Sequence, residues 1–350
     1  MKSEKIVATT LFRYICKCGV AGPLHLDDSA ARCSSCGTSY PVTGFGAVVL
    51  ASETTEQNDY FDTLYKSGKL HKVDGINDVQ RRNYSSNAER AQHYLSACGV
   101  DLAAGLRNAN ILDVACGSGW VTAGLMSHPN IQGCRFHACD ISPDGLAMLA
   151  AFERSRNSAN ALEMSVQNAE ELTFEDATFD FVIGSSVLHH FSNVPAFLCK
   201  CRRILASGGV ATFGEPFAVG YGIGSAVLMI AQKQVGTTYD SVRDLYNDVL
   251  VRVSGPPEVR SVLVDKHLFF QSTFIAMARQ SGFSNIEFHP FASREFYRES
   301  FINELLAERS IPEGPLARAA RDIYRVIFDI FDADSYAHSL SAFNQIVLRA

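Results

Sequence analysis

The chain has 350 residues, 47% of them apolar and 19% charged, and a formal net charge of −6. That suits an ordinary soluble globular protein, long enough for one large domain with an appendage. The acidic balance argues against a broad polyanion-binding surface, and no apolar run is long enough to span a bilayer. Residues Met1 to Ala8 lack a signal peptide's apolar core, so a cytoplasmic location is expected. Ten cysteines in that setting point to metal or thiol chemistry rather than a disulfide framework.

The first elements are two cysteine knuckles, Cys16-Lys-Cys18-Gly19 and Cys33-Ser-Ser-Cys36-Gly37, separated by fourteen residues. Each glycine lets backbone amides turn toward the sulfurs. Four thiolates favour tetrahedral Zn²⁺ in a closed, structural site with Cys16, Cys18, Cys33 and Cys36 as ligands. The first pair is tighter than usual, and His25 could replace one cysteine in a distorted site. The alternative is a set of buried free thiols. Residues 1–50 thus read as a zinc ribbon, too small to fold on an apolar core alone and held together by its metal. A polar linker follows over Ala51 to Asp59. Residues 60–105 alternate helix-compatible stretches with loops, so 51–105 reads as linker and helical cap.

The segment Asn110-Ile-Leu-Asp-Val-Ala-Cys-Gly-Ser-Gly-Trp120 orders strand, tight turn and helix, an arrangement that brings backbone close to a bound nucleotide. It is not the dinucleotide fingerprint, which would need a glycine where Thr122 stands. Asp113 at the strand end would repel a pyrophosphate and welcome a cofactor with a cationic, amino-acid-like part. S-adenosylmethionine, with its ammonium and sulfonium, has that character. Asp113 to Asp140 is about the length of a βαβ unit. An acid at a second strand end can accept from both ribose hydroxyls. The competing role for Asp140 is a helix N-cap, which Ser142 before Pro143 could also fill.

Strands are expected at about 109–115, 133–139, 161–166, 178–184 and 208–214, then at Asn285–Pro290 and Ala342–Leu348. Their alternation with helix-length segments predicts an α/β fold, a mostly parallel sheet covered on both faces. A helix over Thr273–Ser281 ends on Gly282. Helical insertions at about 216–270 and 294–335 fall at the carboxyl edge of the sheet, where a lid would select substrate. Gly220-Tyr-Gly-Ile-Gly224 reads as a flexible hinge. Cys199 and Cys201 fall on an apolar helix face and are not taken as ligands.

Five motifs in register resemble the class I S-adenosylmethionine-dependent methyltransferases, type 11-like. They are the glycine turn from Asn110, Phe136–Ser142, Gln167–Phe174, Phe179–Phe191 and Gly208–Gly214. The resemblance covers about residues 85–215 and implies a Rossmann-like, seven-stranded sheet over 106–350, its last strand antiparallel between the fifth and sixth. It places Asp113, Ala115, Gly117, Gly119, Asp140, Ile141, Asn168, Ala169 and Ser185 around the cofactor. Asn168 stands where the family usually has Asp, and its amide oxygen can still accept from the adenine amine. The cap would pack over the cofactor, with Tyr60, Phe61 and Tyr84 near cofactor or acceptor, or packing the cap helix on the core. Residues 1–50 resemble the small zinc ribbon fused to, or partnered with, some methyltransferases.

For chemistry, His189 or His190 could act as general base, against a helix-packing role. Glu215 could bind an acceptor hydroxyl or amine, against a role in the turn. Trp120 and Cys116 read as packing residues. The expected activity is methylation of a small molecule at O, N or C. One competing reading is an RNA methyltransferase whose ribbon grips nucleic acid through Lys2, Lys5, Arg13, Lys17 and Arg32. Another is a non-catalytic cofactor-binding scaffold. Acceptor and oligomeric state are not encoded legibly.

Overall fold

The computed structural model describes residues 8–27, 29–50, 60–61, 63, 88–156, 158–331 and 341–350. Its centre is a sheet whose strands in chain order are β1 (Val48–Val49), β2 (Asn110–Val114), β3 (Arg135–Asp140), β4 (Ala161–Val166), β5 (Phe179–Ser185), β6 (Leu205–Pro216), β7 (Asn285–Pro290) and β8 (Phe343–Arg349). Their spatial order is β7-β8-β6-β5-β2-β3-β4-β1. Strands β1 to β6 run parallel, and β8 lies antiparallel between β6 and β7, as expected. The apolar run Ile111–Val114 is buried because both sheet faces are covered.

Helices α1 (Ala88–Ala97), α2 (Trp120–Met126), α3 (Pro143–Arg154) and α4 (Val194–Ile204) cover the sheet. Ser142 caps α3 by accepting from the Gly145 amide, with Pro143 in the first turn. The cap role therefore falls to Ser142 and leaves Asp140 at the strand end. Asn193 caps α4 in the same way, accepting from the Ala196 amide. In α4, Cys201 faces the core and Cys199 faces out.

The sheet has eight strands rather than seven, because the ribbon's tail supplies β1 at the β4 edge. Pairing there satisfies backbone groups that an edge strand would leave open. The rest of the ribbon has a four-stranded antiparallel sheet (Ala8–Thr9, Leu24–Leu26, Ala30–Cys33 and Ser39–Pro41) and a two-stranded one (Tyr14–Ile15 with Ala21–Gly22). It has an apolar core after all, borrowed from its neighbour. Phe12 stacks on Phe179 at 5.1 Å, Tyr14 tilts against Phe174 at 5.3 Å, and Cys16 and Cys33 belong to the same buried cluster as Leu112 and Val182. Backbone and ionic ties join in: the Ile15 amide donates to the Thr173 carbonyl at 2.5 Å, and Arg13 pairs with Glu175.

The insertions form α5 (Ala218–Val235) and α6 (Asp240–Ser254), then α8 (Arg294–Glu299), α9 (Phe301–Glu308) and α10 (Pro315–Phe331), while α7 (Gln271–Gln280) is the helix expected before β7. Most of them build a second apolar core over the carboxyl edge of the sheet. The expected hinge at Gly220–Gly224 is instead the first turn and more of α5. A Cβ at Gly220 would strike Ala342, and one at Gly224 would strike Leu305. These glycines permit close packing, not bending. Among the described residues, no helix is long and apolar enough to cross a membrane.

Candidate active site

The turn after β2 is left-handed at Ala115 (φ 48°), Gly117 (φ 55°) and Gly119 (φ 75°). Gly117 can approach Asp140 closely, its amide donating to Oδ2 at 2.7 Å. Gly119 faces away, where a Cβ would meet the Leu149 side chain at 2.6 Å, so it sets how tightly α2 and α3 pack. The turn forms one wall of a cavity of about 320 Å³ at the carboxyl ends of β2 to β5. That is where the strand order reverses, the place open α/β sheets put their ligands.

Seven residues expected around a cofactor line this cavity: Ala115, Gly117, Asp140, Ile141, Asn168, Ala169 and Ser185. Asp140 is 6% exposed, and its Oδ1 accepts from the Ser142 amide at 2.8 Å. Asn168 Oδ1 accepts from the Glu170 amide at 2.9 Å and starts a single 3₁₀ turn there. Gly119 and Asp113 do not line it. Asp113 sits beneath the turn at 2% exposure, its Oδ2 accepting from the Thr122 amide (3.1 Å) and hydroxyl (2.6 Å). Oδ1 is buried without a hydrogen-bond partner among the described residues. Burial pushes the Asp113 carboxyl up to about 7, against the Thr122 hydrogen bonds.

The two histidines separate in role. His190 lines the cavity, whereas His189 is buried behind it. His190 Nδ1 lies 3.0 Å from the Val264 carbonyl and 3.2 Å from Asp265 Oδ1. Both are acceptors, which fixes the proton on Nδ1 and makes Nε2 the basic nitrogen. His189 Nδ1 is 2.7 Å from Glu215 Oε2. Glu215 is fully buried and also accepts from the Val187 and Leu188 amides at 2.9 and 2.8 Å. It therefore holds the turn after β5 from inside and does not line this cavity. The contact with His190 lowers the Asp265 carboxyl to about 2, with help from His189 and Arg252.

Asp265 gave no signal in the sequence, since residues 262–270 carry neither helical nor strand periodicity. The structure straps them across the histidine turn: the Lys266 amide donates to the His189 carbonyl at 2.7 Å, and His267 Nε2 contacts the Phe191 carbonyl at 3.0 Å. Ser186 was also missed. It is left-handed (φ 56°), lines the first cavity and lines a second one of about 500 Å³ beneath the insertions. Of the cap aromatics, Phe61 lines the first cavity and meets the His190 ring edge-on at 5.3 Å. Tyr60 is 42% exposed, and Tyr84 and the 51–59 linker lie outside the described residues. Trp120 and Cys116 pack and also line the cavity.

The Sγ atoms of Cys16, Cys18, Cys33 and Cys36 all lie within 4.8 Å of one another, so the tight first pair does not prevent clustering. Gly19 (φ 82°) and Gly37 (φ 75°) make the two knuckle turns. The Tyr40 hydroxyl donates to Cys16 Sγ at 3.2 Å. His25 is exposed on its strand and outside the cluster.

Residues 112–213 match the family model described as "Methyltransferase domain". The phthiotriol/phenolphthiotriol dimycocerosates methyltransferase of Mycobacterium leprae is 26% identical over 167 residues, 47% of this chain and 57% of that one. The ubiquinone biosynthesis O-methyltransferase of Methylocella silvestris is 31% identical over 106 residues, 30% of this chain and 39% of that one. The chain thus spans about half the length of these curated relatives. Among solved structures, Haemonchus contortus phosphoethanolamine N-methyltransferase 2 in complex with S-adenosyl-L-methionine is similar at a TM-score of 0.47 and 14% identity, over 89% of this chain and 61% of that one. Strand order, glycine turn and matched segment agree: residues 112–213 of this chain match a methyltransferase domain and sit in a Rossmann-like α/β fold.

Proposed function

We propose that the protein transfers a methyl group from S-adenosylmethionine to a small molecule, with the first cavity as the cofactor site. The observation that carries this is the placement of Asp140, Gly117 and Asn168 around one cavity at the strand reversal. The cofactor suits these residues. Asp140 meets a ribose, Asn168 and Ala169 meet an adenine edge, and the buried, unpartnered Asp113 Oδ1 offers negative charge beneath the turn toward an ammonium. Bound there, S-adenosylmethionine supplies an activated methyl on a sulfonium; the protein orients the acceptor and excludes water. His190 Nε2 takes the acceptor's proton, and Asp265 and the Val264 carbonyl orient the ring. Asp265 is a positioning residue. The relatives' names, which include a ubiquinone biosynthesis O-methyltransferase, support a small-molecule acceptor. Arg13 and Arg32 are paired with Glu175 and Asp27, which favours this reading over RNA binding by the ribbon.

The four cysteines suit a structural Zn²⁺, because four thiolates close a tetrahedral shell and leave no open position for substrate.

Calorimetric titration with S-adenosylmethionine tests the cofactor assignment. Micromolar binding, lost in an Asp140→Ala variant that still melts cooperatively, is expected. Absence of binding to the unmodified protein would sink the methyltransferase reading.

A further inference from the structure

The first cavity, at about 320 Å³, lies at the lower limit for one drug-sized ligand and does not hold cofactor and acceptor together. The acceptor needs space of its own within reach of the cofactor. A second cavity of about 500 Å³ meets that need. Two features join it to the first. Ser186 lines both, held left-handed by its amide's bond to the Gly214 carbonyl at 2.8 Å. The Arg90 guanidinium lies over Trp120, in the first cavity, at 5.4 Å and over Phe291, in the second, at 5.1 Å.

Rings make up much of the wall of this second cavity, with Arg90, His93 and Glu304 as its charged and titratable members. Tyr221 comes from α5, Phe296 and Tyr297 from α8, and Phe291 and Phe343 from the ends flanking β7 and β8. Their orientations are already fixed: Phe291 meets Phe343 edge-on at 5.4 Å, and Phe296 meets Tyr297 edge-on at 5.4 Å. The Tyr297 hydroxyl donates to the Phe343 carbonyl at 2.7 Å, which locks that ring further. Rigid rings at several angles favour a flat π-system over a flexible chain, through stacked and edge-on contacts. The cavity volume is in the usual range for one compact ligand.

We infer that this second cavity seats the methyl acceptor, and that the acceptor is a planar, hydroxylated aromatic molecule of two or three fused rings. The inference rests on the methyltransferase reading for the word acceptor, but the cavity's preference for flat aromatics stands apart from it. The acceptor hydroxyl passes Ser186 to reach the first cavity and His190, while its rings stay among the aromatic residues of the insertions.

The test is calorimetric titration of the full chain with 2-naphthol, with and without saturating S-adenosylhomocysteine, alongside its saturated counterpart decahydro-2-naphthol. One 2-naphthol is expected to bind per chain, with a dissociation constant of about 0.1–1 mM for so small a ligand. The saturated alcohol should bind at least tenfold more weakly. Phe296→Ala should weaken 2-naphthol tenfold or more. Ala292→Trp, which fills a half-buried position on the wall, should abolish its binding while S-adenosylhomocysteine affinity stays within twofold. S-adenosylhomocysteine binding without 2-naphthol binding would overturn the inference and leave the cofactor site standing. So would equal affinity for the two alcohols, or binding indifferent to both variants. Naphthol binding with that variant pattern but without S-adenosylhomocysteine would keep the aromatic cavity and remove the methyltransferase reading.

Discussion

Burying Asp113 beneath the glycine turn sets stability against binding. Its folded-state pKa of about 7 lies above the roughly 3.9 of an unfolded aspartate, so the folded protein holds this proton more tightly. The group therefore contributes most stability below about pH 4 and loses it as pH rises through about 7. Asp113→Asn should raise the thermal midpoint of the free protein at pH 8 and flatten its fall between pH 5 and 8. The same variant should weaken S-adenosylmethionine at least tenfold, because the charge meant for the ammonium is gone. Unchanged affinity in calorimetry would remove Asp113 from the site. For His190, the expected outcome of substitution by alanine is a loss of about 10²-fold or more in turnover with S-adenosylhomocysteine affinity unaltered. Asp265→Asn should slow turnover less than His190→Ala does and leave S-adenosylhomocysteine affinity unaltered, since the carboxylate that orients the imidazole is removed. A residue that only packs would lower the thermal midpoint and the cofactor affinity together with the rate. Sequence pattern found His190, because it follows the fourth expected strand. It could not find Asp265, which reaches the histidine only after α5, α6 and a short stretch without periodicity.

At the level of elements, α5 offers a controlled comparison within one helix. Gly220 and Gly224 press on Ala342 and Leu305, whereas a Cβ at Gly222 meets nothing within 4 Å. Gly224→Val should cost about 1–3 kcal/mol through overpacking. Gly222→Ala should be neutral or stabilise by about 0.5–1 kcal/mol through helix propensity. Urea unfolding of both variants checks the pair; equal effects would mean that the glycines serve the helix backbone and not its neighbours. The three glycines look alike in sequence and differ only in what the fold brings against them, which is why they read as a hinge. Strands and their order were legible because period, length and turn chemistry agree locally, as in Ile111–Val114. The eighth strand was not, because Val48 and Val49 are two residues whose partner, β4, is far along the chain.

Across the whole molecule, the ribbon and the sheet it packs against should unfold as one unit, because they share a core. Phe12, Tyr14, Cys16 and Cys33 lie in the cluster that also holds Phe174 and Phe179. Stripping a bound metal with a strong chelator, or Cys33→Ser, should lower the midpoint of a single calorimetric transition. Two resolved transitions would mean that the ribbon folds by itself. Cysteine spacing made the four-cysteine cluster legible, but a short aromatic segment such as Phe12 to Tyr14 does not announce which surface it will cover. The order of synthesis gives that shared core a further consequence. Val48 pairs with Ser165, so the partner residue is made 117 positions after the ribbon's tail. During that interval Phe12 and Tyr14 have no sheet to rest on, and closing so long a loop slows the final docking. A growing chain halted before β4 would present an aromatic, sticky face to its surroundings, making this stretch of translation the protein's most aggregation-exposed moment.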